Sequence, residues 1–404
     1  MVTHPTLEEI EVAAAALDGV ATRTPVEESG ALSRFAGTRV VLKCENLQRG
    51  GSFKIRGAYL RMSRLSPEEQ RRGVVAASAG NHAQGVALAA RTLGIDAVVY
   101  MPEGAALPKV AATKGYGATV RTHGRTVDEA LVEARAEAER TGRTVIHPFD
   151  HIDIVTGQAT LGLEIAEQVP DVGTVIVPTG GGGLLAGVAA ALHARLGPHV
   201  RVVGVQAAGA AAYPESIAQG RPVALAEMQT MADGIAIGCP GEVPLQIVTR
   251  EVERFETVSE EEISRAMLLL TERAKLVVEP SAAAGVAALL KHPGEWQGPV
   301  VVVLTGGNID PLVLMRVLRH GLVAAGRYLQ VKVRVKDTPG HLAKLLAAVA
   351  DLGANVLTVG HVRTDATLAV DEVDIAVEIE TRGADHCRTV VESLRSAGYP
   401  VLPG

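Results

Sequence analysis

Along roughly the first 325 residues, short runs of valine or isoleucine repeatedly give way to a loop and then to an alanine-rich helical stretch. No other feature limits the possible folds as strongly. Val74–Ala77 precedes a helix predicted over 83–92, and Ala97–Met101 precedes one over 107–114. Thr174–Pro178 leads into a helix at 184–196 and a further strand at 200–206, and 300–304 leads into 311–320. Strand–loop–helix units repeated in this way predict an α/β fold of parallel sheets covered by helices on both faces. Aromatic residues are only 3% of the chain and glycines number 43, so the core has to be Ala, Val and Leu on closely packed helices. A length of 404 residues fits two or three domains.

The pattern changes near Gly326. A strand at 329–335, a helix at 340–352, strands at 356–363 and 373–380, a helix at 385–397 and a short strand at 400–402 spell a ferredoxin-like βαββαβ order. The break is placed at 322–328. It leaves a body over 1–325, whose smaller subdomain spans roughly 50–150, and a second domain over 326–404. No low-complexity segment, charge block or solenoid repeat interrupts either part.

A net charge of −6 favours neither nucleic acid nor an anionic membrane as partner. The start, MVTHPTLEEI, has no basic or apolar segment of a signal peptide, and no apolar run is long enough to span a bilayer. The three cysteines, Cys44, Cys239 and Cys387, are isolated, so neither a disulfide framework nor a structural metal site is expected. Cytoplasm is the expected location.

Four loops carry the chemistry. In GGSFKIRGA, Lys54 stands beside Phe53 at the start of a helix predicted over 54–65, with Ser52 as the expected N-cap. An ammonium there faces the unfavourable end of the helix dipole, which suits an amine kept partly neutral for attack on a carbonyl. In PTGGGGLLAG, Gly180 to Gly183 follow a buried strand and open a helix, leaving bare backbone N–H groups that can cradle a phosphate. Gly181-x-Gly183-x-x-Ala186 also fits a dinucleotide fingerprint. That reading expects an acid after the next strand, where the chain has Gln206-Ala207-Ala208. In SAGNHAQG, Ser78, Ala79 and Gly80 expose N–H groups at a helix start, a seat for a carboxylate, with Asn81 and His82 beside it. In LTGGNID, Thr305 offers a hydroxyl at a strand end. Loops after parallel strands gather at one edge of the sheet. A phosphate cradle, a carboxylate seat, a hydroxyl and an amine brought together point to pyridoxal phosphate, whose aldehyde links to lysine.

With these motifs in this order, the chain resembles the threonine dehydratase (threonine ammonia-lyase) family of fold-type II pyridoxal-phosphate enzymes, the group that includes tryptophan synthase β chains. The resemblance implies that Lys54 is the cofactor-linked catalytic residue and that Phe53 lies beside the cofactor ring. It implies Asn81 as partner of the ring hydroxyl, Gly180, Gly181, Gly182, Gly183 and Leu184 as the phosphate loop, and Thr305 facing the pyridine nitrogen. Ser78, Gly80, Asn81 and His82 would take the substrate, and Glu279, in VVEPSAA, is expected near the ring. Thr305 stands where the family usually has serine, and Ala79 where serine racemases of this fold carry a second serine. An acidic cation ligand found after GVQ in many relatives is replaced by Ala207-Ala208.

The tail, with Pro339-Gly340 entering a helix and Gly353-Ala354-Asn355 leaving it, resembles an ACT regulatory domain. That implies an isoleucine- or valine-type effector bound between paired copies, and a homodimer or homotetramer. The implied reaction is β-elimination of L-threonine to 2-oxobutanoate and ammonia, with L-serine as a second substrate. A serine dehydratase or racemase, and a non-catalytic amino-acid sensor on the same body, are the competing readings.

Overall fold

The structure, a computed structural model, describes residues 4–364 and 367–402, so Met1–Thr3 of the N-terminal segment lie outside it. The chain divides into two compact units, Met1–Leu314 and Met315–Gly404. In the first, a six-stranded sheet runs Val26–Glu28, Val40–Lys43, Val300–Val303, Thr174–Pro178, Arg201–Ala207, Arg254–Val258, parallel except for its first strand. Its central strands are buried along their whole length, as their unbroken Val/Ile runs require when helices cover both faces. Helices Ile152–Gln168 and Gly183–Leu196 pack against it through Val155, Leu161, Leu185 and Val188. A smaller parallel sheet of four strands runs Thr119–Thr122, Ala97–Met101, Val74–Ala77, Thr144–Val145. Its core joins Ile55 and Met62 of the helix Lys54–Ser63 to Val86 and Leu88 of the helix Asn81–Leu93.

The second unit is an antiparallel sheet in the order Asn355–Val362, Glu372–Glu380, Tyr328–Lys336, Val401–Leu402, with helices His341–Asp351 and Ala384–Ser396. This is the ferredoxin-like βαββαβ arrangement. One face is buried: Val331, Val333 and Val335 alternate with more exposed residues and meet Leu345, Val349, Val390 and Leu394. The division between the units falls inside the helix Pro311–Ala324, ahead of the 322–328 break expected from the pattern. The end of that helix belongs to the second unit. Arg319 stacks on Tyr328 at 4.7 Å and pairs with Glu378, and Arg327 N–H donates to Leu322 O.

One local expectation fails. Ser52 does not cap the helix Lys54–Ser63; the cap position is Phe53, with no side-chain cap bond. Ser52 is extended and bridged to Gly306, and Phe53 N–H donates to Thr305 O at 3.3 Å. A tertiary strand pairing has taken the backbone that a local cap would have used.

Among the described residues no helix is long and apolar enough to cross a membrane, and no cluster of three or more metal-ligating side chains occurs.

Candidate active site

Lys54 is partly buried, and its Nζ donates to Pro148 O at 3.0 Å while lying 5.1 Å from the Phe53 ring centroid. Burial pushes its ammonium down from 10.5 to about 8, against a smaller upward pull from Glu279. The amine is therefore part neutral at neutral pH. What fixes it is the far side of its own helix. Arg56 is 1% exposed and holds both oxygens of Glu45 at 2.9 Å, and its Nη1 reaches Glu164 at 2.7 Å. Glu164 also accepts from the buried Lys43 at 2.6 Å. Four charges sealed beneath the helix hold its start in one register.

The helix Asn81–Leu93 starts behind Gly80 with no side-chain cap, which leaves its first N–H groups pointing outward. Ser78 Oγ accepts from Gly80 N–H at 3.1 Å and so closes the SAGN turn on itself. His82 is buried, its Nε2 lies 2.8 Å from Ile146 O, and burial with the Lys54 charge holds its pKa down at about 3. Its ring is thus a neutral packing group. Asn81 Nδ2 donates to both oxygens of Glu279, at 2.8 and 3.0 Å. Burial, followed by Asp233, raises the Glu279 carboxyl to about 7, while the Asn81 hydrogen bond, Lys109 and Lys54 pull the other way.

Gly182 precedes the helix Gly183–Leu196 in left-handed backbone, and again no side chain caps the helix. The first turn-closing bond there is Ala186 N–H to Gly182 O at 2.9 Å. A Cβ on Gly181 would sit 2.4 Å from the Phe149 ring, and one on Gly182 would sit 1.6 Å from the Tyr213 hydroxyl. The glycines are thus required by the walls as well as by the bare N–H groups. Leu184 is buried behind them, and Thr305 is buried with its carbonyl holding Phe53.

Sequence reasoning passed over HPFDH, residues 147–151, which joins these parts. Pro148 takes the Lys54 amine, Phe149 walls the glycine loop, and His147 Nδ1 accepts from Asp150 N–H at 2.8 Å. Its position between a strand and a helix was the available signal.

A partly neutral amine, an uncapped glycine cradle and an uncapped helix start in one site suit a cofactor with an aldehyde and a phosphate. The model of the family described as "Pyridoxal-phosphate dependent enzyme" matches residues 17–306. The chain belongs to that family. Pyridoxal 5'-phosphate is accordingly the cofactor of this pyridoxal-phosphate dependent enzyme, and its fold is that of the fold-type II group. The dinucleotide reading of the glycine loop falls, and Gln206 at the end of the neighbouring strand instead accepts Tyr213 N–H at 3.0 Å. Over 396 residues the enzyme is 44% identical to the L-threonine ammonia-lyase of Thermotoga maritima, covering 98% of each chain. It is 35% identical, with a TM-score of 0.74, to the processed form of threonine deaminase isoform 2 from Solanum lycopersicum, covering 79% of this chain and 96% of that one. Maize serine racemase gives 34% identity and a TM-score of 0.74 over 78% of this chain and 97% of its own.

Proposed function

We propose that this enzyme is a threonine ammonia-lyase that converts L-threonine to 2-oxobutanoate and ammonia, and that it also accepts L-serine. The observation that carries the reading is Lys54: a partly buried amine lowered to about 8 and held by Pro148 O, next to Phe149, which walls the glycine loop. The near full-length similarity to an L-threonine ammonia-lyase supports the choice of substrate.

Bound pyridoxal phosphate supplies the electron sink for the charge that develops at the substrate Cα. Gly180 to Gly183 and Leu184 hold the phosphate through backbone N–H groups at the helix start. Asn81 would meet the ring hydroxyl, Thr305 the pyridine nitrogen, and Phe53 would lie beside the ring. Ser78, Gly80, Asn81 and His82 line the seat for the substrate carboxylate, which the uncapped N–H groups at the start of the helix Asn81–Leu93 receive. Lys54 Nζ, as the neutral amine, removes the Cα proton. Ala79 offers no hydroxyl to return a proton from the opposite face, so elimination is favoured over racemisation.

Residues 326–404 act as an ACT domain in this reading, and 1–325 as the catalytic body. A cleft of about 320 Å³ lined by Asp337, Thr338, Gly340, His341, His361 and Arg363 would take an isoleucine- or valine-type effector. The active form is a cytoplasmic homodimer or homotetramer. The test is a spectrum of the purified protein with a chiral assay of product. A visible band that changes on adding L-threonine, with 2-oxobutanoate released, is expected. An unchanged band, or D-serine from L-serine with no keto acid, would replace this reading with a sensor or a racemase.

A further inference from the structure

Asn308, in the loop after the strand Val300–Val303, is absent from the site residues named so far, yet it touches two of the other segments that form the site. Its Nδ2 donates to Gly50 O at 2.7 Å and to Asn81 Oδ1 at 2.9 Å, with Gln84 Oε1 at 3.4 Å. A Cβ on Gly51 would lie 2.2 Å from Asn308 Oδ1, so a glycine makes room for it, and Gly307 N–H donates to Gly51 O at 2.9 Å. Asn81 in turn donates through Nδ2 to Glu279, whose own N–H donates to Gly306 O at 3.1 Å.

The direction of this chain is set at one end by a group that cannot change. The Gly50 carbonyl accepts only, so Asn308 must present its NH2 group to it, and the second hydrogen of that group then faces Asn81. Asn81 must answer with its oxygen, which turns its NH2 edge to Glu279. An ionised Glu279 would enforce the same orientation by itself. A protonated one would not, because its O–H could be given to a flipped Asn81 oxygen. With Asn308 in place, that flip would set two NH2 groups against each other. The charged groups acting on Glu279 are Asp233, Lys109 and Lys54, so its protonation state depends on its surroundings.

We propose that Asn308 is a positioning residue that locks the Asn81 amide with its NH2 group on Glu279, whichever protonation state Glu279 holds, so that a hydrogen of that group rather than the amide oxygen is what a cofactor ring oxygen would meet. A fixed donor there favours an ionised oxygen on the cofactor ring. The inference rests on the cofactor class and on the placement of Asn81 at the ring hydroxyl, but not on the identity of the substrate.

Its test reads pyridoxal 5'-phosphate dissociation from the loaded full-length enzyme, and the position of the visible band, between pH 6 and 8. Asn308→Ala should weaken retention about five- to tenfold, more at pH 6 than at pH 8, with a matching shift of the band. In an Asn81→Ala background the same substitution should add nothing, because the effect passes through Asn81. Asn308→Asp, similar in shape but without the donor, should reproduce the loss if the alanine variant folds poorly. Retention and band unchanged in both variants, or an equal loss with and without Asn81, would overturn the proposal. Failure to act on threonine would leave this test intact, since no turnover is measured.

Discussion

Two helices of this enzyme, Gly183–Leu196 and His341–Asp351, begin behind a glycine in left-handed backbone, Gly182 at φ +93° and Gly340 at φ +94°, and neither has a side-chain cap. The local geometry is the same and the surroundings are opposite. Gly182 is walled by the Tyr213 hydroxyl and by Pro244, whereas a Cβ on Gly340 would meet nothing within 4 Å. The ionisable neighbour of Gly182, Tyr213, is buried, and burial pushes its hydroxyl well above the usual range. Near Gly340 the ionisable groups are exposed and paired, as in Asp337 with Arg363 at 2.7 Å. A closed, dry helix start suits a group that stays bound, and an open one suits a ligand that exchanges with solvent. Backbone geometry alone does not separate the two, but side-chain enclosure does.

The strongest way to break this contrast is to add one methyl at each glycine. Gly182→Ala forces a Cβ onto the Tyr213 hydroxyl in a backbone that L-residues avoid, and should cost about 3 kcal/mol of stability. Pyridoxal phosphate affinity should fall by about a hundredfold for a comparable loss at the cradle. Denaturant unfolding and cofactor titration measure the two losses; parent-like values would mean the walls yield.

Next in size is the effect of enclosure on Lys54. In cofactor-free protein, its folded pKa of about 8 lies below the ordinary 10.5. Between those values the unfolded lysine still holds a proton that the folded one has released. Stability therefore rises with pH through that window, and the deficit is complete below it. Relative to Lys54→Met, the parent should gain about 2 kcal/mol from pH 8 to 10.5, read by urea unfolding. A parallel pair of curves would mean the amine is solvated.

The smallest effect belongs to the open helix start. Gly340→Ala meets no atoms, so only the backbone term of about 1 kcal/mol remains. Turnover without effector should stay within about twofold, while the isoleucine or valine concentration giving half-response should rise by about tenfold, a loss of about 1.4 kcal/mol. An unchanged response would move the effector elsewhere.

The loops with unusual composition were legible in the sequence: four glycines in a row, a lysine at a helix start, and small residues before Asn81. Alternating strands and helices gave the buried central strands of both parallel sheets, which carry unbroken apolar runs, but not flanking strands such as Thr119–Thr122 and Arg254–Val258, which do not. What escaped were contacts made to backbone atoms. Pro148 O and Ile146 O receive Lys54 and His82, and any residue in those positions would present the same carbonyl. Asn308 escaped for a related reason, since Gly50 O is one of its acceptors and its others lie over two hundred positions away in the chain. Ser52 misled because a strand bridge to Gly306 outweighed its local capping preference.

The four charges beneath the Lys54 helix also bear on how this region can change over time. Glu45 and Arg56 are sealed from water, and Arg56 is the cation in contact with Glu45, so replacing Arg56 alone strands a buried carboxylate at about 3–5 kcal/mol. Lys43 and Glu164 are less constrained, because Glu164 also pairs with Arg56. Divergent copies of this protein should keep Arg56 with Glu45 or lose the two together.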